Sequence, residues 1–175
     1  MNKLCLFFLL IGFFSVAGRA QVKDSTKAAL NNFIDAWHLA AANAQFDSYF
    51  DKMHKEATFI GTQADEIWDK QAFMRYAAPH FRTGKAWHFE AFNRKINGNQ
   101  NTYWFHELLK TAMGVCRGSG VIIKTEDGFL IKQYVLSYTI PNALGKQVVL
   151  FKKEKDSIFL KENFKKSVTN LETNN

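Results

Sequence analysis

The sequence predicts one α+β domain in which helices come first and a run of antiparallel strands follows. Two N-terminal segments carry apolar residues at helical spacing, Leu30, Phe33, Ile34, Trp37 and Ala41 in the first and Phe46, Tyr49, Phe50 and Met53 in the second. Later runs rich in Val, Ile, Phe, Tyr and Trp alternate with turn residues, as strands do. Helices grouped before a meander of strands indicate an α+β fold.

The helical half is predicted in four pieces. Asp24 or Ser25 would cap the first helix, and Asn43 would precede the second. A short strand at residues 59–60 is followed by a turn at residues 65–68. A third helix is expected over residues 70–82, where Pro79 would kink the helix or end it early.

The strand half is predicted as four long strands, over residues 87–96, 102–109, 115–124 and 129–140. A turn at residues 97–99 and another at residues 126–128 separate neighbouring strands. Gly118-Ser119-Gly120 would mark a bend or bulge that curves the sheet. Apolar residues occupy both alternating positions of the last strand, so both faces of the sheet should be covered, one by helices and one by a second subunit.

The two ends of the chain have their own patterns. Lys3, a short apolar run over residues 4–14 and Gly18-Arg19-Ala20 are typical of a secretory signal peptide cleaved after Ala20. An uncleaved anchor is the alternative, but the apolar run is too short to span a bilayer. We therefore expect a secreted or periplasmic protein with one domain over residues 21–152. A helix is expected from Ala143 to about Lys152, and residues 153–175 would form an extension that is partly helical and then disordered.

Charge and cysteine content exclude several functions. The formal net charge is +7, but the C-terminal lysines alternate with acidic residues, which indicates a solvated surface rather than a nucleic-acid interface. Cys116 is the only cysteine beyond the predicted signal, so we expect a buried, inert thiol and no internal disulfide. The five histidines lack the spacing of metal ligands, and we predict no metal and no cofactor.

Aromatic residues are the main candidates for a binding pocket. The predicted sheet and helices carry aromatic side chains that would line its concave face as a pocket wall: Trp37, Tyr49, Phe59, Trp68, Phe73, Trp87 and Trp104. The alternative is an ordinary hydrophobic core. Buried Trp and Tyr need partners for their polar atoms, so some of these tips should face the pocket.

Polar candidates lie on the predicted strands. Glu107 and Arg117 fall on neighbouring strands, where an ion pair would either anchor a ligand carbonyl or carboxylate or simply tie the sheet together. Tyr134 would lie beside them. Adjacent strand residues point to opposite faces, so if Glu107 faces the interior, His106 faces outward.

Five segments, taken in order, resemble the SnoaL-like branch of the nuclear transport factor 2 superfamily, and its exported bacterial members in particular. These segments are residues 59–68, 84–89, 104–107, 114–120 and 134–142. The resemblance implies a cone, in which a curved antiparallel sheet is closed on its concave face by three helices. It also implies dimerisation through the convex face of the sheet. Members of the branch include isomerases, dehydratases, cyclases, epoxide hydrolases and non-catalytic binding modules.

Three functions are consistent with these observations. We expect foremost an exported homodimer that binds a small, largely apolar molecule in the cone, because relatives often carry Asp where this chain has Gln45, Gln63 and His106. The second is a cofactor-independent isomerase, dehydratase or hydrolase using Glu107, Asp65 or Glu66 as base, with Tyr134 or Arg117 stabilising negative charge. The third is a dimeric interaction module with a filled cone.

Overall fold

The computed structural model describes residues 22–173, and side chains within residues 22–164. The elements are α1 (Asp24–Ala42), α2 (Phe46–Phe50), β1 (Met53–Ile60), β2 (Ile67–Asp69), α3 (Lys70–Arg82), β3 (Glu90–Asn99), β4 (Thr102–Thr111), β5 (Gly114–Thr125), β6 (Gly128–Tyr138) and, after a 3-10 turn at Asn142–Leu144, α4 (Gly145–Thr173). The predicted signal peptide lies outside the described residues. Within residues 22–173, no helix is long and apolar enough to cross a membrane.

The six strands form one curved, open sheet in the order β2-β1-β6-β5-β4-β3. This architecture confirms the predicted α+β cone. One strand pair differs from the expected antiparallel arrangement, since β1 runs parallel to β6. The reason is topological: β2, α3 and β3–β5 separate β1 from β6 in the chain, so no tight hairpin forces these two neighbouring strands to be antiparallel.

Helices α1, α2 and α3 cover the concave face and form the core with it. Leu30, Ile34 and Trp37 of α1 are almost completely buried, as the predicted apolar stripe requires. On the sheet side, β4 contributes four inward residues in strict alternation, Tyr103, Phe105, Glu107 and Leu109. Glu107 is the one acidic member of that row, and it is fully buried.

Several element boundaries differ from those predicted. α1 begins at Asp24 without a side-chain cap, because Lys23 occupies the N-cap position. Met53 belongs to β1, which is much longer than the predicted strand at residues 59–60. Pro79 does not end α3, which continues to Arg82. Pro79 has no N–H to bond the carbonyl of Arg75, so the helix passes through it with one backbone hydrogen bond fewer.

The C-terminal helix is longer than predicted. α4 runs without a break to Thr173, past the helix end expected near Lys152 and into the segment expected to be disordered. After Gly145 the segment contains neither Pro nor Gly, so no residue interrupts the helix. Phe151 is 85% exposed on it, and several other apolar side chains of α4 are also exposed.

Gly118 and Gly120 of β5 allow side chains from the two neighbouring strands to pack directly against the β5 backbone. A Cβ on Gly118 would collide with the ring of Tyr134, and one on Gly120 with the ring of Phe105. The bulge predicted at these glycines lies one residue further on, between Val121 and Ile122. The irregularity that bends the sheet therefore lies next to the two glycines against which the rings of Tyr134 and Phe105 pack.

Candidate functional site

An open cleft of about 170 Å³ lies at the mouth of the cone. Its walls come from β1, β2, α3, β6 and the segments beside them. The lining residues are Phe59, Gly61, Thr62, Glu66, Trp68, Phe73, Tyr76, Trp87, Phe89, Met113 and Leu136. A cavity of about 150 Å³ is enough to hold benzene, so this cleft accommodates one ring-sized group.

Near-parallel aromatic rings build one wall of the cleft. Trp68 stacks on Tyr76 with ring centroids 4.6 Å apart, and Phe73 lies 5.7 Å from Trp68 in a nearly parallel orientation. Phe73 and Tyr76 are one turn apart on α3, so both reach the ring that β2 presents. Trp87, 5.8 Å from Phe73, continues this wall.

The loop between β1 and β2 places a carboxylate at the cleft. The Glu66 oxygens accept hydrogen bonds from the backbone N–H of Gln63 at 3.1 Å and from its side-chain amide at 3.0 Å. The Glu66 carboxylate lies over Gly61, and any side chain at position 61 would collide with the side chain of Glu66. Glu66 is the only carboxylate in the described lining, which contains no Lys, Arg or His.

A second polar group is buried deeper in the cone. His38 Nε2 lies 2.7 Å from Glu107 Oε1, and Arg94 Nε donates to Glu107 Oε2 at 2.7 Å. Arg94 also pairs with Asp35 at 2.7 Å and donates to Asn31. The carboxylate of Glu107 is thus held on both oxygens by cationic or polar partners, which is what a fully buried charge requires.

Burial and the neighbouring positive groups have opposite effects on the pKa of Glu107. Burial alone would raise the pKa of Glu107, but the hydrogen bond and charge of His38, together with those of Arg94, outweigh it and leave the pKa below its usual value. The Tyr134 hydroxyl donates to Glu107 Oε1 at 3.5 Å. Burial, followed by the negative charge of Glu107, raises the pKa of Tyr134 well above its usual value.

Two buried nitrogen atoms beside this group have neither a hydrogen bond nor an ion pair among the described residues. They are Trp37 Nε1 and His38 Nδ1. Both rings contact Tyr134, with centroid distances of 4.8 Å from Trp37 and 6.1 Å from His38. Phe89, a residue of the cleft lining, lies 5.8 Å from His38. One layer of aromatic side chains therefore separates the cleft from the buried group.

The structure divides the predicted site residues of the interior into two sets, and Trp104 belongs to neither because it is exposed on the outer face of the sheet. Phe59, Trp68, Phe73 and Trp87 line the cleft. The predicted residues that lie behind it, fully buried in the core, are Trp37, Tyr49, Glu107 and Tyr134. Trp37 and Tyr49 stack on each other at 4.8 Å.

The predicted Glu107–Arg117 pair is wrong. Glu107 is opposite Gly118 in the β4–β5 ladder, and Arg117 is opposite Leu108. Arg117 therefore projects from the outer face of the sheet, where it is exposed. His106 is likewise exposed, on the outer face, as its position next to an inward Glu107 requires. The partners of Glu107 are instead His38 and Arg94, which the sequence analysis did not select.

Signals for both missed residues exist in the sequence. His38 follows Ile34 by four positions, so it continues the buried stripe of α1. Arg94 lies two residues before the buried Ile96, so in a regular strand both side chains would point to the same, inner face of the sheet. The bulge between Phe92 and Lys95, with Asn93 at φ 52°, hides this signal because it breaks the alternation along β3. Among the described residues, no group of three or more His, Cys, Asp or Glu side chains is arranged to hold a metal ion.

Comparison with known proteins identifies the family. The profile of the SnoaL-like domain matches residues 30–141, more than half of the chain. The chain belongs to the SnoaL-like family. Similar solved structures include proteins with low sequence identity to this chain. A nuclear transport factor 2-like protein of unknown function from Pseudomonas putida is 8% identical, with a TM-score of 0.60, over 69% of this chain and 91% of that one.

Other similar structures carry enzyme names. A candidate dehydratase from Streptomyces avermitilis is 10% identical, with a TM-score of 0.60, and the alignment covers 67% of this chain and 99% of that one. A candidate aromatic ring hydroxylase from Novosphingobium aromaticivorans is 14% identical, with a TM-score of 0.58, over 69% and 94%. No functionally curated protein matches significantly. At these identities the likeness establishes the fold of this SnoaL-like protein, and its chemistry has to be argued from its own residues.

Proposed function

We propose that this SnoaL-like protein binds one small, largely apolar molecule, or a ring-sized part of one, in the cleft at the mouth of the cone. The observation that carries the proposal is the wall of stacked rings, Trp68, Tyr76, Phe73 and Trp87, around an open space of about 170 Å³. Pockets of this kind, mostly aromatic with a few fixed polar groups, are the usual form of a small-molecule site. The deeper interior is filled by Trp37 and other core rings, so the mouth is where a ligand fits.

Filling the cleft should abolish binding. Met113 lies in the turn between β4 and β5 and is 41% exposed, so Met113→Trp adds bulk to the cleft without disturbing the core. We expect small aromatic alcohols and ketones to raise the melting temperature of the wild-type protein and to have no effect on Met113→Trp. Val149→Trp, which adds a comparable ring on exposed α4, is the matched control and should behave as wild type. Failure of every compound to shift the wild type would refute the proposal.

A catalytic function in the same cone is the second candidate. It is favoured by the His38–Glu107 pair at 2.7 Å with the Tyr134 hydroxyl 3.5 Å away, a set of groups suited to moving protons. This isomerase, dehydratase or hydrolase would need a route through Phe59 and Phe89, because the pair is buried. Turnover of a bound compound that is lost in His38→Gln, while binding is retained, would distinguish it from a binding protein.

We also propose that two copies associate through the outer face of the sheet. Trp104 is 49% exposed there, and its ladder partner Val121 and the nearby Val135 are half-buried. A row of apolar side chains on this face suits a self-complementary interface. We expect sedimentation to show a dimer for the wild type and a monomer for Trp104→Glu. Lys23→Glu, an exposed charge change at the start of α1 on the helical side of the sheet, is the control for charge alone. A monomeric wild type at micromolar concentration would contradict this.

We retain secretion or periplasmic location as a proposal that rests on the pattern of residues 1–20. Mass spectrometry of the mature protein from the cell envelope or medium would test it. A mature N-terminus at Gln21 is the expected result, and an intact Met1 would contradict it.

A further inference from the structure

We propose that the cleft prefers an organic cation, specifically a quaternary or otherwise alkylated ammonium group, over a neutral ligand of the same shape. This inference rests on the proposed binding function and adds the chemical class of the ligand. The juxtaposition that carries it is one cleft lined both by an aromatic wall and by a single carboxylate that has no cationic partner in the described part of the chain.

The ring faces supply the first half of the site. The faces of Trp, Tyr and Phe rings are electron-rich and attract a cation that lies over them, Trp most strongly. Trp68 and Trp87 both line the cleft and are only half-buried, although α3 side chains pack against each of them. The Trp87 ring also packs edge to face against the buried Tyr49 ring, with ring centroids 5.5 Å apart.

Glu66 supplies the second half. Its two oxygens are positioned by Gln63, whose backbone N–H and side-chain amide are neutral donors that leave the negative charge uncompensated. Two exposed carboxylates elsewhere differ in this respect, because Glu56 pairs with Lys132 and Glu90 pairs with Lys110. A carboxylate left without a cation beside aromatic faces is the arrangement that recognises alkylammonium groups.

The overall charge does not oppose this preference at close range. The chain has a formal net charge of +7, which repels cations at long distance. Salt at physiological ionic strength screens charges beyond about 8 Å, so the contacts inside the cleft decide affinity. An anionic ligand would meet Glu66 and no cationic lining residue within the described chain, and binding of an anion is therefore disfavoured.

Choline and 3,3-dimethylbutan-1-ol provide a matched pair, because they differ only in a charged nitrogen replaced by carbon. Titration of the full-length protein, followed by tryptophan fluorescence or calorimetry, should show choline binding about tenfold more tightly than the alcohol, consistent with one cation–π contact plus one carboxylate. Raising the salt concentration should weaken choline binding and leave the alcohol unaffected.

Glu66→Gln tests the role of the carboxylate, because the amide oxygen can still accept from the Gln63 N–H. We expect this variant to lose most of the difference between choline and the alcohol while its affinity for the alcohol stays the same. Glu126→Gln makes the same charge change in the exposed β5–β6 turn and should keep the full difference.

Equal affinity for the two compounds, or no binding of choline, would overturn the cation preference. The proposed binding function would still stand if neutral aromatic compounds shift the melting temperature of the wild type and not that of Met113→Trp. Both proposals fall only if the neutral compounds fail as well.

Discussion

Replacing Glu107 with glutamine lowers the free energy of unfolding by about 3–5 kcal/mol, the cost of removing one partner from a buried ion pair. The carboxylate is fully buried, and its two oxygens hold His38 and Arg94 at 2.7 Å. With glutamine in its place, the Arg94 guanidinium keeps only the exposed Asp35 as a charged partner. Most single domains are stable by about 5–15 kcal/mol, so chemical denaturation should show a large shift of the midpoint.

Glu90→Gln is the matched control, because Glu90 also pairs with a cationic side chain, Lys110, but on the surface. Exposed ion pairs contribute little, and we expect no measurable change in unfolding. Adding Arg94→Met to Glu107→Gln should recover part of the lost stability, because the unpaired buried charge is removed. A Glu107→Gln protein as stable as wild type would show that the buried pair does not contribute.

The same carboxylate makes stability depend on acid. The pKa of Glu107 is lower in the folded chain than its ordinary value of 4.5, so the unfolded chain binds the proton more readily. The contribution of Glu107 is therefore complete above about pH 4.5 and is lost as the pH falls through its folded pKa. Denaturation between pH 7 and pH 3 should show a steeper loss of stability for wild type than for Glu107→Gln.

Gly118→Ala is the second substitution for which we expect a large effect. The added Cβ would lie 2.9 Å from Tyr134 Cζ and 3.1 Å from Glu107 Oε1. Tyr134 cannot move away easily, since its ring is fully buried and contacts Trp37 at 4.8 Å and Phe59 at 5.6 Å. Forcing extra volume into such a core costs about 3 kcal/mol, and denaturant unfolding measures it.

Gly145→Ala is the control for the change from glycine to alanine. Gly145 has helical backbone angles, φ −55° and ψ −45°, and no atom lies within 4 Å of the added Cβ, so a gain of about 0.5–1 kcal/mol is expected. Tyr134→Phe removes the hydroxyl that the new methyl group would strike. Gly118→Ala should therefore cost less in the Tyr134→Phe protein than in wild type. Equal costs in both backgrounds would place the strain elsewhere.

The prediction of the cone rested on local patterns. The stripe Leu30, Ile34, Trp37 and the alternation around Phe105 reflect helix and strand geometry, which a linear sequence displays directly. The element order then limits the packing to an α+β arrangement. Met53 was wrongly assigned to the second helix and is the first residue of β1. A single apolar residue at such a position is consistent with the last turn of a helix and with the start of a strand.

The candidate site was only partly predictable. Trp68 and Trp87 were selected as large aromatic side chains, and both line the cleft. Trp37 and Tyr49 were selected for the same reason but belong to the core, since side-chain type alone does not distinguish a pocket wall from packing. The role of Glu66 depends on a turn that brings its carboxylate over Gly61.

By itself, the sequence determined the order and type of most elements and the fact that Glu107 and His106 point to opposite faces of the sheet, because periodicity is a local property of the backbone. Only the tertiary structure decided that Glu107 pairs with His38 and Arg94 instead of Arg117. That choice depends on strand register, on the bulge beside Arg94 and on how α1 lies across the sheet. Contacts between residues that are 69 positions apart in the chain, such as His38 and Glu107, arise from packing, and no local pattern specifies them.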